Sequence, residues 1–332
     1  MKKIAINGFG RIGRMAFSSI IKKQLELDVV AINDLAHPSV LAHLFEFDST
    51  FGRFEGKISY TDNSLIINDK EILVFSERDP ADLPWGDLEI DVVLECTGFF
   101  TKKEDAIKHI NQGAKRVVIS APAKGDIDGT FVMGVNDNEF DPEKHFVVSN
   151  ASCTTNCLAP VAKVIDENFG IVKGLMTTIH SYTGDQRLLD APHKDMRRAR
   201  SACLSMVPTT TGAAKAVSLV LPQLKGKLNG YAIRIPTPTV SLVDLTVELS
   251  KKATPNEINE AIKNASENEL SGILGFEPRP LVSIDYKMDS RSSIVDAEFT
   301  NIIGGNMAKI LTWYDNEWGY SNRLVELARK IA

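Results

Sequence analysis

A glycine-rich turn close to the start of the chain constrains the fold more than any other feature of the sequence. Residues 8–13 read GFGRIG, directly after an apolar run of strand length and at the start of a helical pattern. In such a turn Gly8 makes the tight bend, Gly10 lets the backbone approach a pyrophosphate, and Gly13 lets the helix pack on the strand. The helix N-terminus adds the positive end of its dipole. The segment therefore predicts a βαβ unit that binds a dinucleotide.

An acidic residue ends the second predicted strand. Asp34 closes the run at residues 27–34, somewhat further from Gly8 than the usual spacing of about 20 residues. A carboxylate at this position hydrogen-bonds the hydroxyls of the adenosine ribose and repels a 2′-phosphate. The sequence therefore favours NAD over NADP, with a purely structural glycine turn as the alternative interpretation.

The pattern of predicted elements changes near residue 150. The first half alternates short β-rich runs with helical patterns, which is typical of βαβ units and a parallel sheet. One of these helices is predicted to begin with a capping box made by Thr101 and Glu104. Beyond residue 150, long alternating runs predict an antiparallel sheet, at residues 228–235, 242–250, 294–300 and 309–314. A chain of 332 residues is also long enough for about two domains.

Composition excludes several classes of protein. Lys and Arg number 38 against 43 Asp and Glu, so the formal charge of −5 offers no positive field for nucleic acid. No apolar run approaches the ~20 residues of a membrane helix, and the N-terminus has no export signal. Four cysteines without a CxxC pair fit neither a disulfide framework nor a zinc site. We therefore expect a cytoplasmic protein that binds no metal.

A second informative segment, SNASCTTNC, covers residues 149–157 at the junction of a predicted strand and helix. Cys153 is expected in the first helical turn, where N–H groups and the helix dipole stabilise a thiolate. A nucleophilic thiol needs a base, and His180 ends an apolar run whose terminus can present it. An inert core cysteine is the alternative. The other three cysteines are expected to be packing residues, and His109 and His193 to lie at the surface.

Two clusters of hydroxyl residues each precede a predicted helix and are candidates for binding an anion. One contains Ser152 and Thr154, and the other covers residues 209–212. Hydroxyls and helix N-terminal amides suit phosphate, and arginines can add guanidinium forks. The candidate arginines are Arg197, Arg198, Arg200 and Arg234. Ordinary helix caps and solvated arginine faces are the alternative interpretation.

Two classes of function are compatible with these residues. One is an NAD-linked aldehyde oxidoreductase that uses a thiol, and the other is a non-catalytic dinucleotide-binding module with an incidental cysteine. Addition of a thiolate to an aldehyde gives a hemithioacetal, which is a good hydride donor, so a thiol and a nicotinamide cofactor make chemical sense together. A cysteine hydrolase fits less well because it leaves the dinucleotide site without a task.

Five segments of the chain resemble the phosphorylating glyceraldehyde-3-phosphate dehydrogenase family: INGFGRIGR, ECTGFF, SNASCTTNCLAP, PTTTGAAKAV and WYDNEWGYSNR. They span nearly the whole chain. By this resemblance the fold is α/β, with an N-terminal Rossmann dinucleotide-binding domain at residues 1–150. A catalytic α+β domain with a mixed, largely antiparallel sheet is expected at residues 151–317. The C-terminal helix, residues 318–332, is expected to pack back on the Rossmann domain.

The resemblance also implies a reaction and a set of site residues. The reaction is NAD-dependent oxidative phosphorylation of D-glyceraldehyde 3-phosphate to 1,3-bisphosphoglycerate through a cysteine hemithioacetal and thioester. Cys153 is implied as the nucleophile and His180 as its base. The implied cofactor residues are Gly8, Gly10, Arg11, Ile12, Gly13, Asp34, Arg78, Ser120 and Asn316. The implied phosphate residues are Thr183 and Arg234 for the substrate, Ser152, Thr154, Thr211 and Gly212 for the incoming phosphate, and Arg198 near both.

The resemblance leaves one rival and sets the expected partners. Erythrose-4-phosphate dehydrogenase shares the cysteine, histidine and cofactor motifs but hydrolyses its thioester. Intact hydroxyls at Ser152, Thr154 and Thr211 favour phosphate as the acceptor. The expected partners are glyceraldehyde 3-phosphate and inorganic phosphate, with no nucleic acid and no membrane. The family's habit is a homotetramer, and residues 183–207 resemble its interface loop.

Overall fold

The computed structural model describes all 332 residues and divides them into two compact units. The first unit comprises Met1–Phe131, Glu139–Ala151 and Ser321–Ala332. The second comprises Val132–Asn138 and Ser152–Tyr320. The chain therefore enters the second unit briefly at residues 132–138, leaves the first unit again after residue 151, and returns to it within its last helix.

A nine-stranded sheet forms the centre of the first unit. Its strands lie in the order β10-β11-β9-β8-β1-β2-β7-β6-β5, and every pair from β10 to β7 is parallel. The strands of this unit, including the separate β3-β4 pair, are β1 Lys2–Asn7, β2 Leu27–Asn33, β3 Phe47–Asp48, β4 Gly52–Arg53, β5 Ile58–Tyr60, β6 Ser64–Ile67, β7 Lys70–Phe75, β8 Val92–Glu95, β9 Arg116–Ile119, β10 Gly129–Thr130 and β11 Val147–Ser149. Its helices are α1 Arg11–Lys22, α2 Pro38–Glu46 and α3 Lys103–Asn111, joined by most of the last helix, α7 Trp318–Ile331.

The order of these strands defines where a ligand can enter. β1 pairs with β2 on one side and with β8 on the other, so the direction of winding reverses at β1. In open parallel sheets the crevice at such a switch point, beyond the carboxyl ends of the strands, is the usual ligand site. All four residues of β8 are buried, as expected for a parallel strand covered on both faces. The predicted Rossmann fold is confirmed.

One predicted helix start in this unit is wrong. α3 begins at Lys103 with Lys102 as its N-cap, and no side chain caps it. Thr101 lies one residue too early, is buried, and accepts a hydrogen bond from the backbone N–H of Lys124 at its own carbonyl. Glu104 contacts Lys102 instead of closing a capping box. The chain turn before α3, rather than a local capping motif, therefore sets where this helix begins.

The second unit is built on an eight-stranded sheet in the order β13-β14-β12-β15-β19-β17-β16, with β18 beside β19. Five of its seven strand pairs are antiparallel, so the sheet is mixed and largely antiparallel, as predicted. Its strands are β12 Ile171–Ser181, β13 Val207–Thr210, β14 Leu228–Ile235, β15 Ser241–Leu249, β16 Leu274–Glu277, β17 Ser293–Asp296, β18 Asn301–Ile303 and β19 Met307–Tyr314. Its helices are α4 Cys153–Phe169, α5 Ala213–Val220 and α6 Pro255–Glu267.

Two details of this sheet matter for the site. β12 and β14 are parallel, and their register pairs His180 with Arg234. The strand predicted at residues 294–300 is shorter than expected, because β17 ends at Asp296, where the carboxylate accepts a hydrogen bond from Trp313 and the chain turns into a 3₁₀ helix. The register of β12 and β14 is therefore what brings an arginine beside the histidine.

Residues 183–206, which form the irregular segment of the second unit, contain no helix or strand. Ion pairs hold the segment together, for example Arg198 with Asp185 and Arg200 with Asp190. No helix of the protein is both long enough and apolar enough to cross a membrane.

Candidate active site

Cys153 is the first residue of α4. The residue before it, Ser152, is the N-cap, and its hydroxyl accepts a hydrogen bond of 3.0 Å from the backbone N–H of Thr155. This cap satisfies one of the orphan N–H groups of the first turn. The sulfur is therefore held in the first turn of a 17-residue helix, as the sequence predicted.

His180 lies beside this cysteine, on β12. Its Nε2 is 3.5 Å from Cys153 Sγ, which is within hydrogen-bond distance for sulfur. The imidazole is only 3% exposed. The structure therefore brings together the predicted nucleophile and the predicted base, which are 27 residues apart in the chain.

The other ring nitrogen of His180 has two neighbours. Nδ1 lies 2.7 Å from the carbonyl oxygen of Ser181 and 2.7 Å from Nη1 of Arg234. The same Nη1 lies 3.2 Å from the Ser181 oxygen. One acceptor from β12 and one donor from β14 thus lie within hydrogen-bond distance of the same ring nitrogen and of each other.

These neighbours favour different tautomers of His180. A carbonyl oxygen only accepts and a guanidinium only donates, so Nδ1 can satisfy one of them at a time. With a proton on Nδ1 bonded to Ser181, Nε2 presents a lone pair to the thiol. With Nδ1 accepting from Arg234, Nε2 instead carries the proton toward the sulfur. The site therefore accommodates both a base form and an acid form of the same neutral ring.

Burial dominates the electrostatics of the pair. It lowers the pKa of His180 to about 3, and the charge of Arg234 acts in the same direction. Burial also raises the pKa of the Cys153 thiol, while Arg234 and hydrogen bonds at Thr154 act to lower it. The stabilisation of a thiolate expected from the helix start alone is thus outweighed by burial. Both shifts favour a neutral thiol beside a neutral imidazole.

Tyr314 completes the wall of the site and was not among the predicted site residues. Its ring stands edge-on to that of His180, with centroids 5.9 Å apart, and its hydroxyl is 2.9 Å from the hydroxyls of both Thr154 and Thr178. Tyr314 is brought here by the pairing of β19 with β15, in which it faces Ser241. Tyr314 therefore links the start of α4 to the strand that carries His180.

A hydrogen bond joins the starts of the two helices that follow the hydroxyl clusters. The hydroxyl of Thr155 lies 3.5 Å from the carbonyl oxygen of Ala213, which joins the first turn of α4 to the first turn of α5. Gly212 is the N-cap of α5, and the hydroxyl of Thr211 accepts from the backbone N–H of Ala213. The predicted anion residues of the two clusters thus lie at adjacent helix starts, where N–H groups converge.

The remaining predicted phosphate residues lie on the irregular segment. Arg198 donates to the hydroxyl of Thr209 at 3.0 Å and pairs with Asp185 at 2.5 Å. Thr183 donates its backbone N–H to Gln186. A hollow of about 1050 Å³ opens beside Thr211 and Gly212, but neither Cys153 nor His180 lines it.

The first unit contains a cleft of about 410 Å³ at the switch point of its sheet. Four of the predicted cofactor residues line it, namely Gly8, Gly10, Asp34 and Arg78. The cleft is also lined by residues to which the sequence analysis assigned no role: Asn7, Asn33, Leu35, Glu77, Cys96, Thr97, Phe99 and Phe100. Most of these directly follow or end a parallel strand, and that position was the signal that could have identified them.

The residues of this cleft fit a dinucleotide. Gly8 has φ +91°, and a Cβ there would lie 2.8 Å from the backbone nitrogen of Thr97. At Gly10, by contrast, a Cβ would meet nothing within 4 Å, so the backbone faces open space. The Asp34 carboxylate is held by the backbone N–H groups of Phe9 and Ala36, at 2.8 and 3.0 Å. A close-approach turn and a fixed carboxylate are what the pyrophosphate and the ribose require.

Other predicted cofactor residues do not line this cleft. Arg11 pairs with Asp48, Gly13 packs so closely that a Cβ would lie 2.2 Å from the Gly8 oxygen, and neither Ile12 nor Ser120 is part of the lining. Asn316 belongs to the second unit, where its Oδ1 accepts hydrogen bonds from Ser181 and Ser241 at 2.8 and 3.0 Å. Their roles in binding the cofactor stay predictions.

The expectation that His109 lies at the surface is wrong. His109 is 0% exposed, because α3 turns the face that carries Ala106 and His109 onto the sheet. Trp85 donates to its Nδ1 at 2.8 Å, and its Nε2 lies 3.2 Å from Glu95.

Comparison with known proteins identifies the relatives of this chain. Residues 2–103 match the profile described as the NAD-binding domain of glyceraldehyde 3-phosphate dehydrogenase, and residues 152–316 match its C-terminal domain. The chain is 58% identical over 330 residues to the glyceraldehyde-3-phosphate dehydrogenase of Geobacillus stearothermophilus, covering 99% of this chain and 98% of that protein. It is 59% identical over 328 residues to glyceraldehyde-3-phosphate dehydrogenase 1 of Bacillus cereus, with 99% and 98% covered. The chain therefore belongs to the glyceraldehyde-3-phosphate dehydrogenase family.

Proposed function

We propose that the chain catalyses the NAD-dependent oxidative phosphorylation of D-glyceraldehyde 3-phosphate to 1,3-bisphosphoglycerate, as in glycolysis and gluconeogenesis. The observation that carries the proposal is the 3.5 Å contact between Cys153 Sγ and His180 Nε2, in a chain that also contains a dinucleotide cleft. A nucleophile beside a base and a hydride acceptor are the parts that oxidation of an aldehyde through a thioester needs.

In the first step Cys153 attacks the aldehyde carbon of the substrate. As the S–C bond forms, the thiol proton passes to Nε2 of His180, and the carbonyl oxygen receives it to give a hemithioacetal. Proton transfer of this kind contributes about 10²- to 10⁴-fold to the rate. The base form of His180 is the one with a proton on Nδ1, which Ser181 O is placed to accept at 2.7 Å.

In the second step His180 removes the hemithioacetal hydroxyl proton as the hydride leaves the carbon. NAD supplies the acceptor for that hydride. The product on the enzyme is a thioester of Cys153. Inorganic phosphate then adds to the thioester carbonyl, the C–S bond breaks, and the acyl phosphate leaves while Cys153 returns as a thiolate and is reprotonated through His180. The same nitrogen, Nε2, thus alternates between accepting and donating a proton.

Arg234 connects substrate binding to the state of His180. We assign the substrate phosphate to Thr183 and Arg234, and the contact of 2.7 Å between Arg234 Nη1 and His180 Nδ1 supports a coupled role. A phosphate that draws the guanidinium away frees Nδ1 to hold a proton against Ser181 O. Binding of the phosphorylated substrate therefore favours the base form of His180 when the base is needed.

The incoming phosphate is assigned to the adjacent starts of α4 and α5. Ser152 and Thr154 are supplied by the first helix, Thr211 and Gly212 by the second, and Arg198 completes the set. The contact between Thr155 and Ala213 that joins the two helix starts supports this assignment. Converging N–H groups and hydroxyls stabilise an anion without a metal.

The cofactor is assigned to the cleft of the first unit. Gly8 and Gly10 allow approach of the pyrophosphate, Asp34 binds the adenosine ribose and Arg78 lies beside it, with Arg11, Ile12, Gly13, Ser120 and Asn316 as further proposed contacts. Residues 1–150 with 318–332 are proposed as the NAD-binding domain, and residues 151–317 as the catalytic domain. The division of the chain into two compact units after residue 151 supports these boundaries.

The chain is proposed to act as a cytoplasmic homotetramer. Five large apolar side chains on the irregular segment are 71% to 83% exposed: Leu188, Leu189, Met196, Leu204 and Met206. Exposed apolar residues gathered on one segment are typical of a surface that another subunit covers. A segment rich in such residues and held by its own ion pairs supports an interface between subunits.

The proposed function is tested by following NADH formation from glyceraldehyde 3-phosphate and NAD, with and without inorganic phosphate. We expect sustained turnover only when phosphate is present, because the thioester needs an acceptor. Erythrose 4-phosphate is run in parallel. A preference for the tetrose with no dependence on phosphate would assign the chain to the rival reaction, and no turnover with either aldehyde would favour a binding module.

A further inference from the structure

A network of hydrogen bonds between buried polar side chains lies beneath the dinucleotide cleft. The residues at the ends of three adjacent parallel strands take part in it, namely Asn7 on β1, Asn33 on β2 and Glu95 on β8. All three are 5% exposed or less. The cleft lies directly beyond these strand ends, and Asn7 and Asn33 line it. The positions of the cleft loops therefore depend on how these three side chains are joined.

Between Glu77 and Glu95, a backbone amide determines the direction of each hydrogen bond in this network. The backbone N–H of Glu77 donates to Asn33 Oδ1 at 2.8 Å. The amide nitrogen of Asn33 then donates to Asn7 Oδ1 at 2.7 Å, and the amide nitrogen of Asn7 donates to Glu95 Oε2 at 2.5 Å. Because a backbone N–H can only donate, the orientation of each amide follows from the one before it.

Between Trp85 and Glu95, the indole N–H of Trp85 determines the direction of the hydrogen bonds. Trp85 Nε1 donates to Nδ1 of His109 at 2.8 Å, and an indole N–H has no capacity to accept. Nδ1 therefore carries a lone pair, and the ring proton lies on Nε2, which is 3.2 Å from Glu95 Oε2. His109 is thus a neutral imidazole that donates to Glu95.

The hydrogen bonds that start at the Glu77 backbone and those that start at the Trp85 indole both end at the Glu95 carboxylate. Its Oε2 accepts from Asn7 and His109, and its Oε1 accepts from the backbone N–H of Thr97 at 2.8 Å and from the Thr97 hydroxyl. Four donors match the four lone pairs of an ionised carboxylate, which is 1% exposed. Thr97 also lines the cleft, so the carboxylate holds the loop after β8 as well as the ends of the strands.

We propose that His109 is a positioning residue for the cofactor, which sets the geometry of the adenosine half of the cleft through Glu95. The adenosine half is indicated because Asn33 immediately precedes Asp34. Glu77, whose backbone bonds to Asn33, likewise precedes Arg78. The inference rests on the proposal that this cleft binds NAD. Loss of the donor on Nε2 or of the acceptor at Nδ1 leaves a buried group without a partner and releases the loop that follows β8.

The test compares two substitutions of similar size. His109→Gln keeps one donor and one acceptor, whereas His109→Leu keeps neither. Binding of NAD and of ADP-ribose, which lacks the nicotinamide, is measured by titration calorimetry on the full chain. We expect His109→Leu to weaken both ligands by about 10-fold or more, from the usual cost of unpaired buried groups. We expect His109→Gln to stay within about 3-fold of the unsubstituted protein, and kcat at saturating NAD to change little in either.

Glu95→Gln provides a second variant of unchanged size if His109→Leu does not fold. In the unsubstituted protein both carboxylate oxygens of Glu95 accept hydrogen bonds, so the amide NH₂ of the glutamine places a donor against other donors. We therefore expect weaker binding of NAD and ADP-ribose with an unchanged kcat at saturation. Unaltered dissociation constants in the folded variants would overturn the proposal. Equal losses in His109→Gln and His109→Leu would also overturn it, because they would show that only packing matters. Binding of NAD by the unsubstituted protein tests the cleft itself and separates the two proposals.

Discussion

The two buried histidines of the molecule have opposite surroundings. In the first unit, Trp85 donates to Nδ1 of His109 and Glu95 accepts at Nε2, so a single neutral tautomer satisfies both of these contacts. In the second unit, Nδ1 of His180 lies 2.7 Å from both a donor and an acceptor, so it can bond only one of them at a time. The contrast fits the two proposed roles, a constant geometry at the cofactor cleft and proton transfer at His180. A binding cleft benefits from one hydrogen-bond pattern, whereas a residue that must accept and donate a proton needs two.

The largest effect is expected for Cys153→Ser. An alcohol is a far poorer nucleophile than a thiol beside a base, so oxidation should fall by about 10⁴-fold or more. Binding of NAD, measured by calorimetry, should be unchanged because the cleft lies in the first unit. Cys203→Ser is the matched control, since Cys203 is exposed and its prediction as a packing residue is wrong. Appreciable turnover by the Cys153 variant would remove the nucleophile from the mechanism.

His180→Asn is expected to lower kcat by about 10²- to 10⁴-fold, the usual contribution of a general acid or base. The amide cannot alternate between accepting and donating at the sulfur. The dissociation constant of NAD should not move, which contrasts with the opposite pattern expected for His109→Leu. Substitution of the exposed His43 by Asn serves as the control. A rate close to that of the unsubstituted enzyme would mean that another group carries the proton.

Arg234→Gln should reduce kcat/KM for the phosphorylated aldehyde by about 10- to 100-fold, because hydrogen bonds to charged groups are the strong ones. It should also change how Cys153 titrates. Arg234 acts to lower the pKa of the thiol, so its removal should raise that pKa. The rate of alkylation by iodoacetamide, measured against pH, should then rise at a higher pH than in the unsubstituted protein. A curve that moves to lower pH would show that Arg234 does not act on the sulfur.

The smallest effect is expected for Asp34→Gly. Loss of the carboxylate removes hydrogen bonds to the ribose hydroxyls and removes repulsion of a 2′-phosphate. The ratio of kcat/KM values for NADP and NAD should rise by about 10-fold or more. The kcat with saturating NAD should stay close to normal, since Cys153 and His180 are untouched. An unchanged ratio would place the choice of cofactor elsewhere in the cleft.

Local motifs made much of this structure predictable. The GFGRIG turn encodes its own conformation, because the positive φ of Gly8 and the close packing of Gly13 demand glycine. The placement of Cys153 at a helix start is local too, since the Ser152 cap lies one residue before it. These features could be identified because each depends on residues only a few positions apart.

Features that depend on register between distant segments could not be predicted in the same way. Arg234 reaches His180 only because β12 and β14 pair in one register, and Tyr314 reaches Thr154 only through the pairing of β19. The sequence predicts a surface position for His109, because an isolated polar residue in a helix gives no sign of which face is buried. Its partner Trp85 is 24 residues away in the chain.

Mass spectrometry of the protein mixed with glyceraldehyde 3-phosphate and NAD in the absence of phosphate tests whether oxidation passes through a thioester on Cys153. We predict one 3-phosphoglyceroyl group per chain, located on the peptide that contains Cys153 and removed when inorganic phosphate is added. NADH formation without a covalent adduct, or an adduct on another residue, would contradict it.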